Sequence, residues 1–305
     1  MAEAIVLGGG IIGLTAAVRL RQAGVDVTVW SPVGPEQTVS AVAAAVWYPT
    51  RTDFDQRVRA WGRAAYDEFT RQHARGVPGV ALRPTRNLEF EWQDAPPWWA
   101  PAGARIVPGP APYRREVRFI APSVEMDVYL PWLREQVTVE RRAVARLSDA
   151  LAEAPVVVNA TGLAAGALCG DPAVYPARGQ IVLVRNPGLD TSVRAEGDPS
   201  TYVHPRSADV VLGGTFQEYD VDTTPDPVIR QAIVQRCVAL VPQLRGAEIV
   251  GEKVGLRPCR RGGPRVERDG AVVHAYGHGG AGMTLCWGTA DEVTGLVLQV
   301  PSSRR

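Results

Sequence analysis

The spacing of apolar residues changes period several times along the chain, and each change marks an element. AIVL, from Ala4, is an unbroken apolar run that ends in Gly8, Gly9 and Gly10, after which IIGLTAAVRLRQAG places apolar residues at helical spacing and stops at Gly24. VDVTVW, residues 25–30, then alternates. An unbroken run reads as a buried strand, a 3.6 period as a helix with one apolar stripe, and a period of two as a strand with one buried face. Strand, glycine turn, helix and strand within about thirty residues have the size of one βαβ unit.

Further along the pattern shifts. RVRAWGRAAYDEFTRQHARG predicts an amphipathic helix, and the stretch from there to Pro122 is rich in proline and tryptophan, its proline pairs marking loops. MDVYLPWLREQ predicts a helix, APVVVNATG a buried strand ending in a turn, RGQIVLV a strand, and TYVHPRSADVVLGGTFQEYD a hairpin closed by PRSAD. TPDPVIRQAIVQRCVALVPQL is a helix opened by proline and acid, AVVHAY a strand that runs into a second glycine stretch, and MTLCWGTADEVTGLVLQV the helix after it. Only PSSRR, at 301–305, reads as a tail.

Composition removes several classes. The chain has 305 residues, 46% apolar and 21% charged, which is an ordinary soluble balance. No apolar run nears the roughly eighteen residues of a membrane span, and the start MAEAIVLGGG has no basic export region. Cytoplasmic residence without a membrane partner is the expectation. A net charge of +1 predicts no nucleic-acid partner. Cys169, Cys237, Cys259 and Cys286 lie far apart, so neither a metal site nor a disulfide framework is expected. Lys253 is the single lysine, and its neighbours GEKVG match neither a Schiff-base nor a phosphate-binding motif.

Two stretches read G-x-G-x-x-G, residues 8–13 and 277–282. In the first, Gly8 permits the tight turn, Gly10 lets a pyrophosphate approach the backbone, and Gly13 lets helix and strand pack closely, while the helix N-terminus holds the anion. The acid that would bind a ribose at the end of the second strand is missing, leaving Ser31, backbone groups or Glu36. A carboxylate substrate calls for a guanidinium that binds it through two parallel hydrogen bonds. Arg257, Arg260, Arg261 and Arg265 crowd one segment, and residue chemistry alone does not choose among them.

Taken in order, IVLGGGIIGLTAA, SAVAAAVWYP at 40–49, NATGLAAGAL at 159–168, PARGQIVLV, TYVHP with LGGTFQ, GLRPCRRGGPRVERDG and GHGGAGMTLCWG form a pattern that resembles the D-amino-acid oxidase family of FAD-dependent flavoenzymes over nearly the whole chain. The resemblance implies an α/β fold: a Rossmann-like FAD-binding domain from residues 1–50, 135–178 and 262–300, with an inserted β-rich α+β substrate domain from 51–134 and 179–261. It implies FAD as cofactor, with Gly8, Gly10, Ile11, Ile12, Gly13 and Ser31 around the pyrophosphate end. Thr38, Val39, Ser40, Ala43, Ala44, Ala45 and Val46 would run past phosphates and ring, Ala143 would sit near the adenine, and Ala160, Thr161 and Gly162 along the ribityl and adenosine portion. Arg265, Gly279, Gly280, Gly282, Met283 and Thr284 would meet the flavin, where glycines permit close approach and a helix N-terminus favours negative charge.

On the substrate side the resemblance implies Arg265 as carboxylate receptor, the Tyr202 hydroxyl as its second bond and the Gly280 carbonyl as acceptor for the α-amino group. Trp47 would lie by the flavin and pocket floor. Phe216 stands where the acid-specific D-aspartate oxidases of the family carry an arginine, which implies neutral or apolar D-amino acids. Asp198 stands four positions before Tyr202, where a lid tyrosine is replaced, so a shortened or absent lid is expected in GDPSTY. No side chain is implied as acid or base. His278 would fix the glycine turn, and His204 would reach either the pocket or only solvent. The implied reaction is oxidative deamination: the Cα hydride passes to flavin N5, and O2 reoxidation gives hydrogen peroxide, a 2-oxo acid and ammonia. A glycine or sarcosine oxidase and a non-catalytic flavin redox sensor are the alternatives. Partners are the small-molecule D-amino acid and O2, with a homodimer left open.

Overall fold

A computed structural model of the chain describes residues 3–49, 55–198 and 201–299. The expected tail at 301–305, part of the expected lid segment and the junction at 50–54 lie outside the described residues. In chain order the elements are β1 (Ala4–Leu7), α1 (Ile11–Gln22), β2 (Val27–Trp30), α2 (Gln56–Ala74), β3 (Val80–Glu89), β4 (Arg105–Pro108), β5 (Arg115–Val124), α3 (Met126–Arg134), β6 (Thr138–Glu140), α4 (Leu147–Leu151), β7 (Val156–Asn159), α5 (Ala164–Cys169), β8 (Val174–Arg185), β9 (Ser192–Ala195), β10 (Thr201–Pro205), β11 (Asp209–Gly213), β12 (Gln217–Glu218), α6 (Pro227–Leu240), β13 (Ile249–Arg260), β14 (Arg265–Asp269), β15 (Val272–Tyr276) and α7 (Gly282–Leu298).

Among the described residues the strands form two sheets. The first has the order β14-β15-β7-β1-β2-β6, parallel throughout except for β14 at its edge. Every residue of β1 and β7 is buried, as parallel strands covered on both faces require, and this is why both read as unbroken apolar runs. α1 crosses from β1 to β2 and packs against α7. A Cβ at Gly13 would stand 1.9 Å from the carbonyl oxygen of Gly8, so only glycine lets α1 seat on the turn that starts it.

The second sheet has the order β12-β8-β11-β10-β9-β3-β5-β4, with β13 also on β8. α6 covers one face of it, and Val182, Val184, Val203, Leu212, Ile233 and Cys237 form the core between them. The predicted hairpin is β10 and β11, with Tyr202 opposite Gly213 and His204 opposite Val211.

Strands from 1–50, 135–178 and 262–300 build the first sheet, and those from 51–134 and 179–261 build the second, with β8 beginning just before that boundary. The helices α2 and α3 do not follow this division. Trp61, Ala65 and Phe69 of α2 and Tyr129, Leu130 and Leu133 of α3 join the core of α1 and α7. The Tyr129 hydroxyl accepts from Trp287 Nε1 at 3.1 Å and donates to Gln72 Oε1 at 2.7 Å, tying α7, α3 and α2 together inside the protein.

Candidate active site

A cleft lies between the two sheets, with about 1490 Å³ of space counting its mouth open to solvent. Its wall begins at Ile11 and Ile12 in the first turn of α1 and continues along Val39, Ser40, Val42 to Val46 and Tyr48. Ala160 and Gly162 after β7 close one side, Gly179 and Ile181 of β8 the other. The floor is made by Arg194 of β9, Tyr202 and His204 of β10, residues 214–216, and Gly255, Arg257 and Pro258 of β13. The second glycine stretch and the start of α7 complete it, from Ala275 to Gly280 and from Gly282 to Thr284.

Two helices meet this wall with their positive ends. α1 starts at Gly10 with no side-chain cap and no acid in its first turn, and so does α7 at Ala281. The amide of Ile11 donates to Ser40 Oγ at 2.9 Å. An uncapped helix start is a natural seat for a phosphate or for negative charge on a ring edge. Thr284 is engaged within the protein: its hydroxyl donates to the Tyr48 carbonyl at 2.9 Å and accepts from the Tyr48 amide at 3.2 Å. It thereby fixes the Tyr48 segment to the first turn of α7. Ala45, also in the wall, holds a left-handed φ of 53°, a strained backbone for a residue with a side chain.

At the other end Arg257 lies over the Phe216 ring, 5.4 Å from guanidinium carbon to centroid, and its Nη1 donates to the Thr215 carbonyl at 3.0 Å and the Arg178 carbonyl at 3.3 Å. Neutral carbonyls leave its charge uncompensated by those bonds. Gly179 makes room for it, because a Cβ there would stand 2.2 Å from Arg257 Nη1. The Tyr202 hydroxyl is hydrogen-bonded with Arg257; burial pushes its pKa up and the Arg257 charge pulls against that. The Tyr202 ring rests on Gly213 and Gly214 and stacks on His204 at 4.8 Å and 12°. Burial lowers both wall histidines to about 3, so His204 and His278 are neutral at pH 7. His278 is held through Nε2 to Thr289 Oγ1 at 3.1 Å.

Arg265 is a correction. It opens β14 at the edge of the first sheet and is not in the cavity wall. Its Nε donates to Glu267 Oε1 at 2.7 Å and its Nη1 to the Tyr276 hydroxyl at 2.9 Å, and that hydroxyl donates to Asp171 Oδ2 at 2.9 Å. Arg260 donates to the same carboxylate at 2.8 Å, which holds Asp171 down at about 2 despite partial burial. The physical reason is the turn between β13 and β14, where Gly262 and Gly263 take φ of 81° and 83° and carry the chain from the second sheet to the first. Arg257 precedes the turn and faces the cleft; Arg265 follows it and faces a carboxylate.

Of the other expected cofactor and substrate positions, Ile11, Ile12, Val39, Ser40, Ala43, Ala44, Ala45, Val46, Ala160, Gly162, Gly279, Gly280, Gly282, Met283 and Thr284 lie in the wall with Tyr202 and Phe216. Gly8 and Gly10 lie in the turn between β1 and α1 and Gly13 in the first turn of α1, and none of the three is in the wall. Several others are off the wall. The Ser31 hydroxyl donates to the Val33 carbonyl at 2.9 Å, Thr38 Oγ1 to the Pro35 carbonyl at 2.7 Å and Thr161 Oγ1 to Asn159 Oδ1 at 2.7 Å. Trp47 is a core residue, 3% exposed, donating from its indole to the Gly62 carbonyl at 3.0 Å because α2 covers it. Ala143 is exposed in the segment after β6, apart from the cleft.

Arg194 and Tyr48 are wall residues that sequence reasoning did not place, and Arg257 stood there only as one of four candidate arginines, passed over for Arg265. The usable signals were an arginine inside the short apolar strand SVRA and the alternation of VGLRP, which sets Arg257 on the same face as Gly255.

A family model of FAD dependent oxidoreductases matches residues 3–122 and 132–296. The chain is 43% identical to a D-amino-acid oxidase of Rubrobacter xylanophilus, covering 97% of this chain and 96% of that protein, and 40% identical to one of Streptomyces coelicolor, covering 96% of each. The solved structure of glycine oxidase from Bacillus cereus shares the fold, with a TM-score of 0.83 at 18% identity over 98% of this chain and 97% of that one. On the strength of the family match and of relatives spanning almost all of it, the chain belongs to the D-amino-acid oxidase family of FAD dependent oxidoreductases.

Proposed function

We propose that the protein carries out FAD-dependent oxidative deamination of D-amino acids, with neutral and apolar side chains accepted, O2 as electron acceptor, and a 2-oxo acid, ammonia and hydrogen peroxide as products. The single observation that carries this reading is one cleft lined both by two uncapped helix starts and by Arg257 beside the Tyr202 hydroxyl. The donor set fits FAD: the start of α1 suits the pyrophosphate, and the start of α7, with Gly279 and Gly280, suits the flavin edge. The layer of β1, β2, β6, β7, β14 and β15 is then the cofactor-binding part and the other sheet the substrate part.

Bound FAD would supply the two-electron acceptor. What the chain's own residues do is bind and orient. Arg257 receives the α-carboxylate through parallel hydrogen bonds, with Tyr202 as a further donor at the same group. The Gly280 carbonyl accepts from the α-amino group. With carboxylate and amine both fixed, the α-hydrogen of one enantiomer alone points at the ring, and holding reactants so removes entropy from the barrier. Neutral His204 and His278 put no charge on the wall at pH 7 to compete for the carboxylate. Among the described residues no helix is long and apolar enough to cross a membrane, and we read the enzyme as cytoplasmic. Whether it works as a homodimer is decided by sedimentation.

Anaerobic mixing of the FAD-loaded protein with the D- and L-isomers of alanine, proline and valine tests the reading. Bleaching of the flavin by D-isomers alone is expected. Bleaching by glycine and sarcosine but not by D-alanine moves the assignment to a small-amine oxidase, and no bleaching by any of them leaves a redox sensor.

A further inference from the structure

Side chains along β8 alternate between the two faces of the second sheet. Gly179 and Ile181 lie in the cleft wall, so Arg178 and Gln180 belong to the opposite face, where both are buried. Arg178 is only 2% exposed. A charge taken out of water is costly unless hydrogen bonds surround it, and here they come mainly from one stretch of chain. Its Nε donates to the Asp222 carbonyl at 2.6 Å, its Nη2 to the Thr224 carbonyl at 2.7 Å and its Nη1 to Gln217 Oε1 at 2.8 Å, with the Asp220 carboxylate at 3.9 Å. Nη2 also donates to Gln180 Oε1 at 3.1 Å. Gln180 takes the end of the same stretch: its Oε1 accepts from the Asp226 amide and its Nε2 donates to the Asp226 carbonyl, each at 2.9 Å.

The stretch held in this way, 217–226, continues directly from residues 214–216 of the cleft floor. It starts at β12, where Gln217 is the register partner of Arg178. Thr215 is fixed by its hydroxyl, which accepts from the Gln180 amide at 2.9 Å. The two carbonyls that accept from Arg257 Nη1, those of Thr215 and of Arg178 itself, both belong to this frame, and so does the Phe216 ring against the guanidinium. Two parallel hydrogen bonds to a carboxylate require the guanidinium plane in one orientation. A cation behind the sheet therefore sets the seat of the cation in front of it.

Resting on the proposed oxidation of D-amino acids, we infer that Arg178 is a positioning residue for that reaction: by gripping 217–224 from the far face of β8 it holds Thr215 and Phe216 where they aim Arg257 at the substrate carboxylate. Arg178 touches neither substrate nor flavin. Its influence passes through Gln217 and Thr215 to Arg257, and it falls on carboxylate binding, because the flavin end of the cleft is built from α1, α7 and the two glycine stretches.

The test reads carboxylate binding apart from cofactor binding, in the FAD-loaded protein, in Arg178→Met and in Gln217→Ala. Arg178→Met should raise KM for D-alanine and the Kd of propionate, followed through the flavin spectrum, together by about tenfold, the worth of about one hydrogen bond, with kcat and the Kd of FAD within about threefold of wild type. Gln217→Ala removes one acceptor of Arg178 at a half-buried position and should move the same two constants in the same direction by about threefold. Constants that stay put in Arg178→Met, or a loss of FAD affinity as large as the loss of propionate affinity, overturn the inference, the second outcome making Arg178 a general support of the fold. If Arg178→Met does not fold, Gln217→Ala decides alone, and an unchanged KM and propionate Kd in that variant overturn the inference. A wild type that binds propionate but turns over no D-amino acid overturns the oxidase reading instead, and the propionate affinities of the variants still decide whether Arg178 positions Arg257.

Discussion

Two arginines eight positions apart, one on each side of the turn between β13 and β14, live in opposite surroundings. Arg265 has a carboxylate at 2.7 Å and a phenol at 2.9 Å, and although burial works against its charge, those bonds hold its pKa above the ordinary value. Arg257 has two backbone carbonyls and an aromatic face, and its hydrogen-bonded phenol points into the cleft. A guanidinium that already faces an acid has its charge spent on the protein's own structure. One propped by neutral carbonyls keeps that charge for a ligand. Chemistry of the residue type is identical in the two cases; the partners decide the role.

The comparison breaks first at Arg257. Arg257→Met should cost about a hundred- to a thousand-fold in kcat/KM for D-alanine, because truncating one partner of a desolvated charge pair typically costs about 2–5 kcal/mol, while stability changes by about 1 kcal/mol. Steady-state kinetics set beside a thermal melt check both halves. An Arg257→Met enzyme within tenfold of wild type would remove this residue from the site.

A smaller effect is expected from pH. His278 has its folded pKa depressed to about 3, below an unfolded value near 6.5. Below pH 6.5 the unfolded chain therefore binds a proton that the folded protein refuses, and stability falls as pH drops from 6.5 toward 3. Between pH 7 and pH 5 this amounts to about 2 kcal/mol for one such histidine. Asp171 behaves differently: with a folded pKa of about 2, its contribution is present above the unfolded value near 3.9 and is lost only as pH falls from there toward 2. Denaturant midpoints at pH 7, 5 and 3.5 separate the two, since only the histidine side of the molecule has responded by pH 5. A midpoint equal at pH 7 and 5 would contradict the neutral burial of His278.

Gly179→Ala sharpens the contrast without touching either arginine. A methyl group 2.2 Å from Arg257 Nη1 must push the flexible guanidinium aside, so KM should rise about tenfold with the melting temperature nearly unchanged. Arg265→Met is the smallest change. Its partner Glu267 is more than half exposed, so about 1 kcal/mol or less of stability and about a threefold change at most in kcat/KM are expected.

Much of the architecture was legible. β1, α1 and β2 follow from an apolar run, a helical stripe and an alternating run, and the hairpin of β10 and β11 from two β-rich stretches around PRSAD. Legibility stopped where the sheet changes. Nothing in RRGGP states that the chain passes there from one layer to the other, and the choice between Arg257 and Arg265 turns on that passage. Trp47 was misplaced for a related reason: its indole is claimed by Gly62, a contact that exists only because α2 folds back onto α7. Arg194 and His204 reach the cleft through cross-strand register, which is a property of pairing between strands that sequence alone presents one at a time.

The position of β7 has a bearing on how the molecule is made. Val157 is bracketed by Ile5 of β1 and Val272 of β15, so the middle of the first sheet unites the opening, centre and closing portions of the polypeptide. During synthesis the opening strand waits on the order of tens of seconds for its last neighbour, at about 5–20 residues per second. Throughout that interval the greasy flank of α1, destined for α7, stays uncovered. Yield in a heterologous host should accordingly respond to chaperone supply and growth temperature more than to surface redesign.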